Sequence, residues 1–174
     1  MKKVLLLLAV SVSLFFVACE GDPGPPGPEG LPGVNILGQV FEVNVDFQFN
    51  NTTGLQEALV NIPTNVEVFE SDVILVYRLE KVVNGNADAW SPLPQNFFLD
   101  NGDIIQYVYN HTFFDVELLI DGNFNLSTLG FDFTNDQIFR IAVVPSEFAQ
   151  DGLSMTQLLD GLQIDPSDIT TLGN

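Results

Sequence analysis

From Gln39 to Asn50 the side chains alternate without a break. Phe41, Val43, Val45, Phe47 and Phe49 fall on one face, and Glu42, Asn44, Asp46, Gln48 and Asn50 on the other. Successive side chains of a strand point to opposite sides, so a period of two over this length predicts a strand with one face buried and one wet. A helix with the same residues would spread its apolar groups round the whole circumference and bury none of them well. Whatever else the chain does, it must build a sheet here and cover one side of it.

The same logic applies further along. Over 72–81, Val73, Leu75, Tyr77 and Leu79 share one face and Ile74 and Val76 the other, before Arg78 and Glu80 take over. That pattern predicts a central strand covered on both sides at its start and emerging into solvent. Phe114, Val116, Leu118 and Ile120 alternate with Asp115, Glu117, Leu119 and Asp121, and 138–144 form a last strong strand closed by Pro145. Residues 97–99 and 104–109 flank the turn Asp100-Asn101-Gly102-Asp103 and read as a hairpin. Asn51-Thr52-Thr53-Gly54, Asn84-Gly85-Asn86, Asp121-Gly122-Asn123 and Asn135-Asp136 are further turns.

Several stretches read less simply. Over 55–62, Thr53-x-x-Gln56 has the spacing of a helix cap, whereas Ala58, Val60 and Ile62 alternate as a strand does. Residues 66–69 are expected to form a short strand. Trp90-Ser91-Pro92-Leu93-Pro94 is expected to be a rigid loop crossing between sheets. Phe131 and Phe133 lead into the turn at Asn135. After Pro145 the period changes: Ser154-x-x-Gln157 has capping-box spacing, and Met155, Leu158, Leu159 and Leu162 recur as on a helix, shortened by Gly161. The tail to Asn174 is expected to be loose.

Roughly seven or eight short strands at regular spacing, with turn residues between, indicate an all-β fold, a single antiparallel β-sandwich that is Ig-like or jelly-roll-like. The expected organisation is a signal peptide over 1–18, a stalk over 19–35, the sandwich over 36–150, and a short helix with a loose tail over 151–174.

The first of these segments rests on polarity. Lys2 and Lys3 precede an apolar run from Val4 to Val17. At about 14 residues the run is too short to span a bilayer comfortably and fits the core of an export signal. It ends at Ala18, a small residue of the kind a signal peptidase needs, and Cys19, the only cysteine in the chain. Glycine then recurs at every third position, Gly21, Gly24, Gly27, Gly30 and Gly33, among Pro23, Pro25, Pro26, Pro28 and Pro32. This is collagen-like Gly-X-Y spacing, in which only glycine fits at the axis of three wound chains. So few triplets return little interchain contact against the entropy of ordering, so a semi-rigid single-chain spacer is expected, rising about 3.1 Å per residue. The expected state is a monomer rather than a stalk-driven trimer.

Phe16-Val17-Ala18-Cys19 resembles a bacterial lipobox, with Phe16 where leucine is usual. Cys19-Glu20-Gly21-Asp22 and the glycines to Gly33 resemble the start of Bacteroidota-type surface lipoproteins that carry a collagen-like segment behind the lipobox cysteine. The resemblance implies an acylated Cys19, cleavage of the signal before it, and a place in the cell envelope, at the outer membrane or cell surface. It covers only this N-terminal stretch and carries over no catalytic residue. An acylated Cys19 would make lipid the one expected membrane partner and leave no thiol for a disulfide, a metal or catalysis.

Charge narrows the remaining functions. The chain has 23 acidic and five basic residues, a formal net charge of −18, and loss of Lys2 and Lys3 with the signal makes it more negative still. Arg78, Lys81 and Arg140 are then the only cations, so nucleic-acid binding is excluded as an expected function. Among catalytic groups, His111 is the single histidine, and no serine lies in a nucleophile-elbow spacing. No phosphate-binding loop is present.

Two kinds of site remain open. Oxygen-rich turns offer weak calcium candidates in Asp100, Asp103, Asp121 and Asp136, although none has EF-hand spacing and turns are made of such residues anyway. No cofactor is otherwise expected. Trp90, Tyr107 and Tyr109, with Tyr77, are the aromatics with a polar edge. They would form a sugar- or ligand-binding platform if exposed together, and core if not. The expected function is a non-catalytic structural or interaction module, not an enzyme. A glycan- or ligand-binding module and a carbohydrate-active enzyme with paired carboxylates stand as alternatives.

Overall fold

The computed structural model describes residues 38–83, 87–146 and 153–172. The signal peptide, Cys19, the glycine-spaced stalk and the Asn84-Gly85-Asn86 turn lie outside the described residues. Ten strands form two five-stranded sheets stacked as a sandwich. They are β1 (Gln39–Val45), β2 (Gln48–Phe49), β3 (Gln56–Asn61), β4 (Asp72–Val83), β5 (Ala87–Pro92), β6 (Gln95–Phe98), β7 (Ile104–His111), β8 (Asp115–Gly122), β9 (Gln137–Pro145) and β10 (Thr170–Leu172). The first sheet runs β10-β1-β9-β4-β5 and the second β2-β3-β8-β7-β6. A helical turn α1 (Phe131–Thr134) joins β8 to β9, and α2 (Met155–Leu162) covers the outer face of the first sheet.

The alternating run at the start serves both sheets. Phe41, Val43 and Val45 enter the core from β1, and Phe47 follows them from a bend that carries the chain into the second sheet. Phe47 N–H donates to the Thr134 carbonyl at 2.8 Å, and Asp46 accepts from the Asp136 N–H at 2.8 Å. The inner face is common to both sheets, so the period of two survives the bend. The ambiguous stretch after Gly54 resolves as strand β3, whose Ala58 and Val60 join the core. Its would-be cap residue Thr53 donates instead to Glu57, at 2.6 Å.

Long-range pairings close the sandwich. β9 lies between β1 and β4, and β8 between β3 and β7, all antiparallel. This nesting of late strands among early ones fits the jelly-roll-like expectation better than the Ig-like one. Crossing between sheets takes place where the sequence placed it, through the cis Leu93–Pro94 peptide, but Trp90, Ser91 and Pro92 belong to edge strand β5. Pro92 is tolerated there because an edge strand has one side with no ladder partner to bond.

Two further expectations, a strand over 66–69 and a loose tail, need correction, and two stretches without an assigned element take helical turns. Residues 66–69 form no strand: they belong to the loop that carries the chain from β3 to β4. Phe131 and Phe133 sit on the helical turn α1. Residues 124–126 lead into a single 3-10 turn, Leu126–Thr128, capped by Asn125. The tail is not loose, because β10 pairs in parallel with β1, Phe41 opposite Thr170 and Val43 opposite Leu172. The helix α2 keeps its expected form, with both bonds of the Ser154/Gln157 capping box in place. Its Met155, Leu158, Leu159 and Leu162 pack on Val40, Tyr77, Ala142 and Val144, so both faces of the first sheet are covered.

Two glycines permit close packing. At Gly38 a β-carbon would lie 2.5 Å from both terminal carbons of Leu162, so the bare backbone lets the end of α2 seat against β1. At Gly122 it would lie 2.9 Å from the Ile104 carbonyl oxygen, 2.9 Å from Leu126 and 3.3 Å from Ile105. Gly122→Ala is therefore expected to lose about 1–3 kcal/mol in urea unfolding, the usual cost of overpacking. Gly130→Ala, where nothing lies within 4 Å, is expected to change little. Equal effects of the two would show that the contact at Gly122 is not what matters.

Candidate functional site

The register defines two ends of the sandwich. At one, called here the near end, lie the start of β1, the end of β9 and the start of β4, since Gln39 pairs with Val143 and Asp72 with Pro145. The end of β3 and the β7–β8 turn lie at the same end, since Asn61 pairs with Asp115. A cleft of about 260 Å³ there brings Gly38 and Gln39 beside Pro63, Asn65 and Val66 of the β3–β4 loop. The far end holds the β6–β7 turn, the end of β8, α1 and the start of β9.

The calcium candidates all lie toward the far end, and the carboxylates of Asp103 and Asp121 are engaged locally. Pairing of Ile105 with Gly122 sets the Asp100–Asp103 turn beside Asp121. Asp103 accepts from the Asn101 side-chain amide, Asp121 from the Gly122 N–H at 2.7 Å, and Asn123 from the Ile104 N–H at 2.8 Å. Asp136 stands by Asp46 at the mouth of β1, with φ of 52°, in the left-handed region. Among the described residues no three carboxylate, imidazole or thiol groups converge as a metal site would require.

The aromatic candidates are used by the fold. Tyr107 is 0% exposed in the inter-sheet core, packed edge-on against Phe47 and Phe97, and its hydroxyl donates to the Phe133 carbonyl at 2.6 Å. Tyr109 is half-buried and donates to the Ile74 carbonyl at 2.7 Å; Tyr77 is buried and donates to the Leu153 carbonyl at 2.9 Å. Trp90 is half-buried on the outer face of β5 against the α2 cluster. The Arg140 guanidinium lies over its ring, 4.1 Å from the centroid, and also pairs with Glu42 at 3.0 Å and Asp88 at 3.7 Å. One indole face is thus taken by a cation that links β1, β9 and β5, and Tyr107 has no surface to offer. Trp90, Tyr107 and Tyr109 do not make a common platform. His111 stands exposed at the end of β7.

Burial leaves a signature in titration. It raises the Tyr107 phenol to about 12, partly offset by Arg78, and raises Tyr77 and Tyr109 in the same direction. The folded chain keeps a proton that the unfolded chain loses near pH 10, so this contribution is full below about pH 10 and is lost as the pH rises toward 12. A gap of that size corresponds to about 3 kcal/mol. Urea midpoints measured upward from pH 9 are expected to fall steeply for the native chain and less steeply for Tyr107→Phe. Identical slopes would contradict the assignment.

Sequence reasoning missed two features. Arg78 does not emerge into solvent: it is 8% exposed and turned into the core, its guanidinium 4.7 Å from the Tyr107 ring centroid and 5.2 Å from that of Phe97. It donates to the Gln137 side-chain oxygen, and the Gln137 amide in turn donates to the Asp132 and Asn135 carbonyls. Among the described residues both ion pairs are Arg140's, so the Arg78 charge is balanced by ring faces and an amide rather than a carboxylate. The signal was present in the alternation, since Ile74, Val76 and Arg78 share a face. The second feature is the β7–β8 turn, whose two central residues, Phe113 and Phe114, are 53% and 78% exposed. The alternation set Phe114 on one apolar strand face with Val116, Leu118 and Ile120, but the strand begins at Asp115 and Phe114 stands outside it in the turn.

Comparison with protein-family models, with curated proteins and with solved structures finds no match for this chain.

Proposed function

We propose that this protein is a lipid-tethered sandwich of the bacterial cell envelope, held at the outer membrane or cell surface through Cys19, and that it serves as a non-catalytic interaction module. The observation that carries this reading is where the chain joins the sandwich. Gly38 stands at the near end, beside the β3–β4 loop, and Cys19 precedes it behind a proline-rich spacer. A membrane attachment at Cys19 leaves the far end, with Asp100, Asp103, Asp121, Asp132 and Asp136, free to meet a partner. The sandwich needs no disulfide to close, because buried apolar side chains line both faces of the first sheet, which suits a chain whose one thiol is consumed by lipid. The aromatic-platform alternative is not carried forward, since Tyr107 is in the core and Trp90 lies under Arg140.

Mass spectrometry of the N-terminal peptide from membrane fractions tests the tether. The expected peptide begins at Cys19 and carries a thioether-linked diacylglyceryl group and an acylated amine. An unmodified thiol with residues 1–18 still attached would overturn the reading.

A further inference from the structure

We propose that the Phe113–Phe114 turn, with Phe69 beside the start of β4, is a lipid-contacting edge that dips the near end of the sandwich into the surface of a membrane of low negative charge. The inference rests on the tethered reading above and adds a face and a depth to it.

The turn is built to hold two rings outward. Thr112 N–H donates to the Asp115 carbonyl at 2.9 Å, the Thr112 hydroxyl donates to the Asp115 carboxylate at 2.6 Å, and Phe114 N–H donates to the Thr112 hydroxyl at 3.1 Å. The Phe114 carbonyl accepts from Ile62 N–H at 2.8 Å, which locks the turn to the first residue of the β3–β4 loop. Thr112 and Asp115 therefore do the work of the turn, and neither ring takes part. Turn centres favour glycine, asparagine, aspartate or proline. Two adjacent phenylalanines at such a place expose apolar surface that folding does not require, and neither belongs to the core. Phe69, 56% exposed, is fixed at the same end by its N–H to the Asp72 carboxylate at 2.9 Å.

Position selects lipid as the occupant. Residues 20–37 separate Cys19 from Gly38, so even a fully extended spacer holds the near end no more than about 70 Å from the acylated sulfur. A tether of that reach raises the local concentration of lipid at the near end to about the millimolar range, enough for a pair of rings to engage where a free protein would not. The charges at this end include Glu67, Glu70, Asp72, Asp115 and Asp168, and Arg78, Lys81 and Arg140 lie on strands β4 and β9 rather than in its loops. Attraction to anionic headgroups is thus absent, and the contact is apolar, with rings seated at the headgroup–acyl boundary.

The full acylated chain in phosphatidylcholine vesicles provides the test. Phe114→Trp places a reporter on the turn and Phe131→Trp places one at the far end, where Phe131 is 80% exposed; the parent chain supplies the Trp90 background. With brominated lipid the emission of the Phe114→Trp reporter is expected to fall about twofold or more, and that of the Phe131→Trp reporter to stay unchanged. Absence of quenching at position 114 in protein that floats with the vesicles would overturn the inference while leaving the tether intact, and would point to a protein as the cover of the turn. Equal quenching at both positions would overturn it as well, since the contact would then have no preferred face. Failure of the protein to float at all would sink the tether, and this inference with it.

Discussion

Replacing Cys19 with alanine is expected to move the protein from the membrane fraction to the soluble one. On the proposed reading, a thioether at Cys19 and the amine freed there by cleavage are the only sites at which this chain would acquire acyl groups. Each buried methylene contributes about 0.8 kcal/mol, so one chain binds marginally and two or more hold stably. Without them, membrane affinity would rest on the protein surface. That surface carries a formal charge of −18 over the chain and offers three cations beyond the signal, one of them buried in the core and one paired with Glu42. The exposed rings of Phe69, Phe113 and Phe114 at the near end hold too little area to replace the lipid, and they would lose the local concentration that a tether supplies. The expected change in partition is therefore large, about a thousandfold or more, read by flotation of envelope fractions. A Cys19→Ala chain still floating with membranes would show that the apolar segment ahead of it, and not acylation, is the anchor.

Loss of the buried arginine should be the most damaging single change within the sandwich. Arg78→Ala removes a guanidinium that lies against both the Tyr107 and Phe97 rings, strands the Gln137 side-chain oxygen without its donor, and leaves a gap at the far end of the core. A desolvated cation over aromatic faces contributes about 2 kcal/mol, and an orphaned buried acceptor costs about 1–3 kcal/mol. These are not additive, and the expected loss is about 3–5 kcal/mol, read from urea unfolding. Arg78→Lys should recover less than half of it, because a compact ammonium cannot lie flat against the rings and also reach Gln137 as a fork. Gln137→Leu should act partly through Asp132 and Asn135, whose carbonyls it now satisfies. A loss below about 1 kcal/mol for Arg78→Ala would mean the cation is tolerated in the core rather than used by it.

How far the sequence could be read differs from one element to the next. Alternation over 39–50, 72–81 and 114–121 located the strands and most inner residues, with Arg78 and Phe114 as the exceptions, because period two reports which side of a strand meets apolar matter. The capping box at Ser154 and Gln157 located α2, because its bonds are local. The same rules failed where a stretch is short and its neighbours decide its state. Residues 66–69 have strand composition but must carry the chain from one sheet to the other, and 131–133 have it but close a helical turn over the mouth of the core. Thr170–Leu172 has little pattern of its own and becomes a strand only because β1 offers an open edge.

The candidate site shows the same division. An apolar leader ending at Ala18-Cys19, a glycine every third residue and a heavy excess of carboxylates are local or compositional facts, and the proposed address and the expectation of no nucleic-acid partner rest on them with no reference to folding. Whether an aromatic is a platform or a core residue is another matter. Tyr107 and Phe114 are both aromatic members of alternating or turn-flanked stretches, yet one is fully buried and the other almost fully exposed. Burial depends on what the rest of the chain lays against a side chain, through pairings such as β1 with β9 and β3 with β8. Those partners lie far apart along the chain, and no local pattern records them.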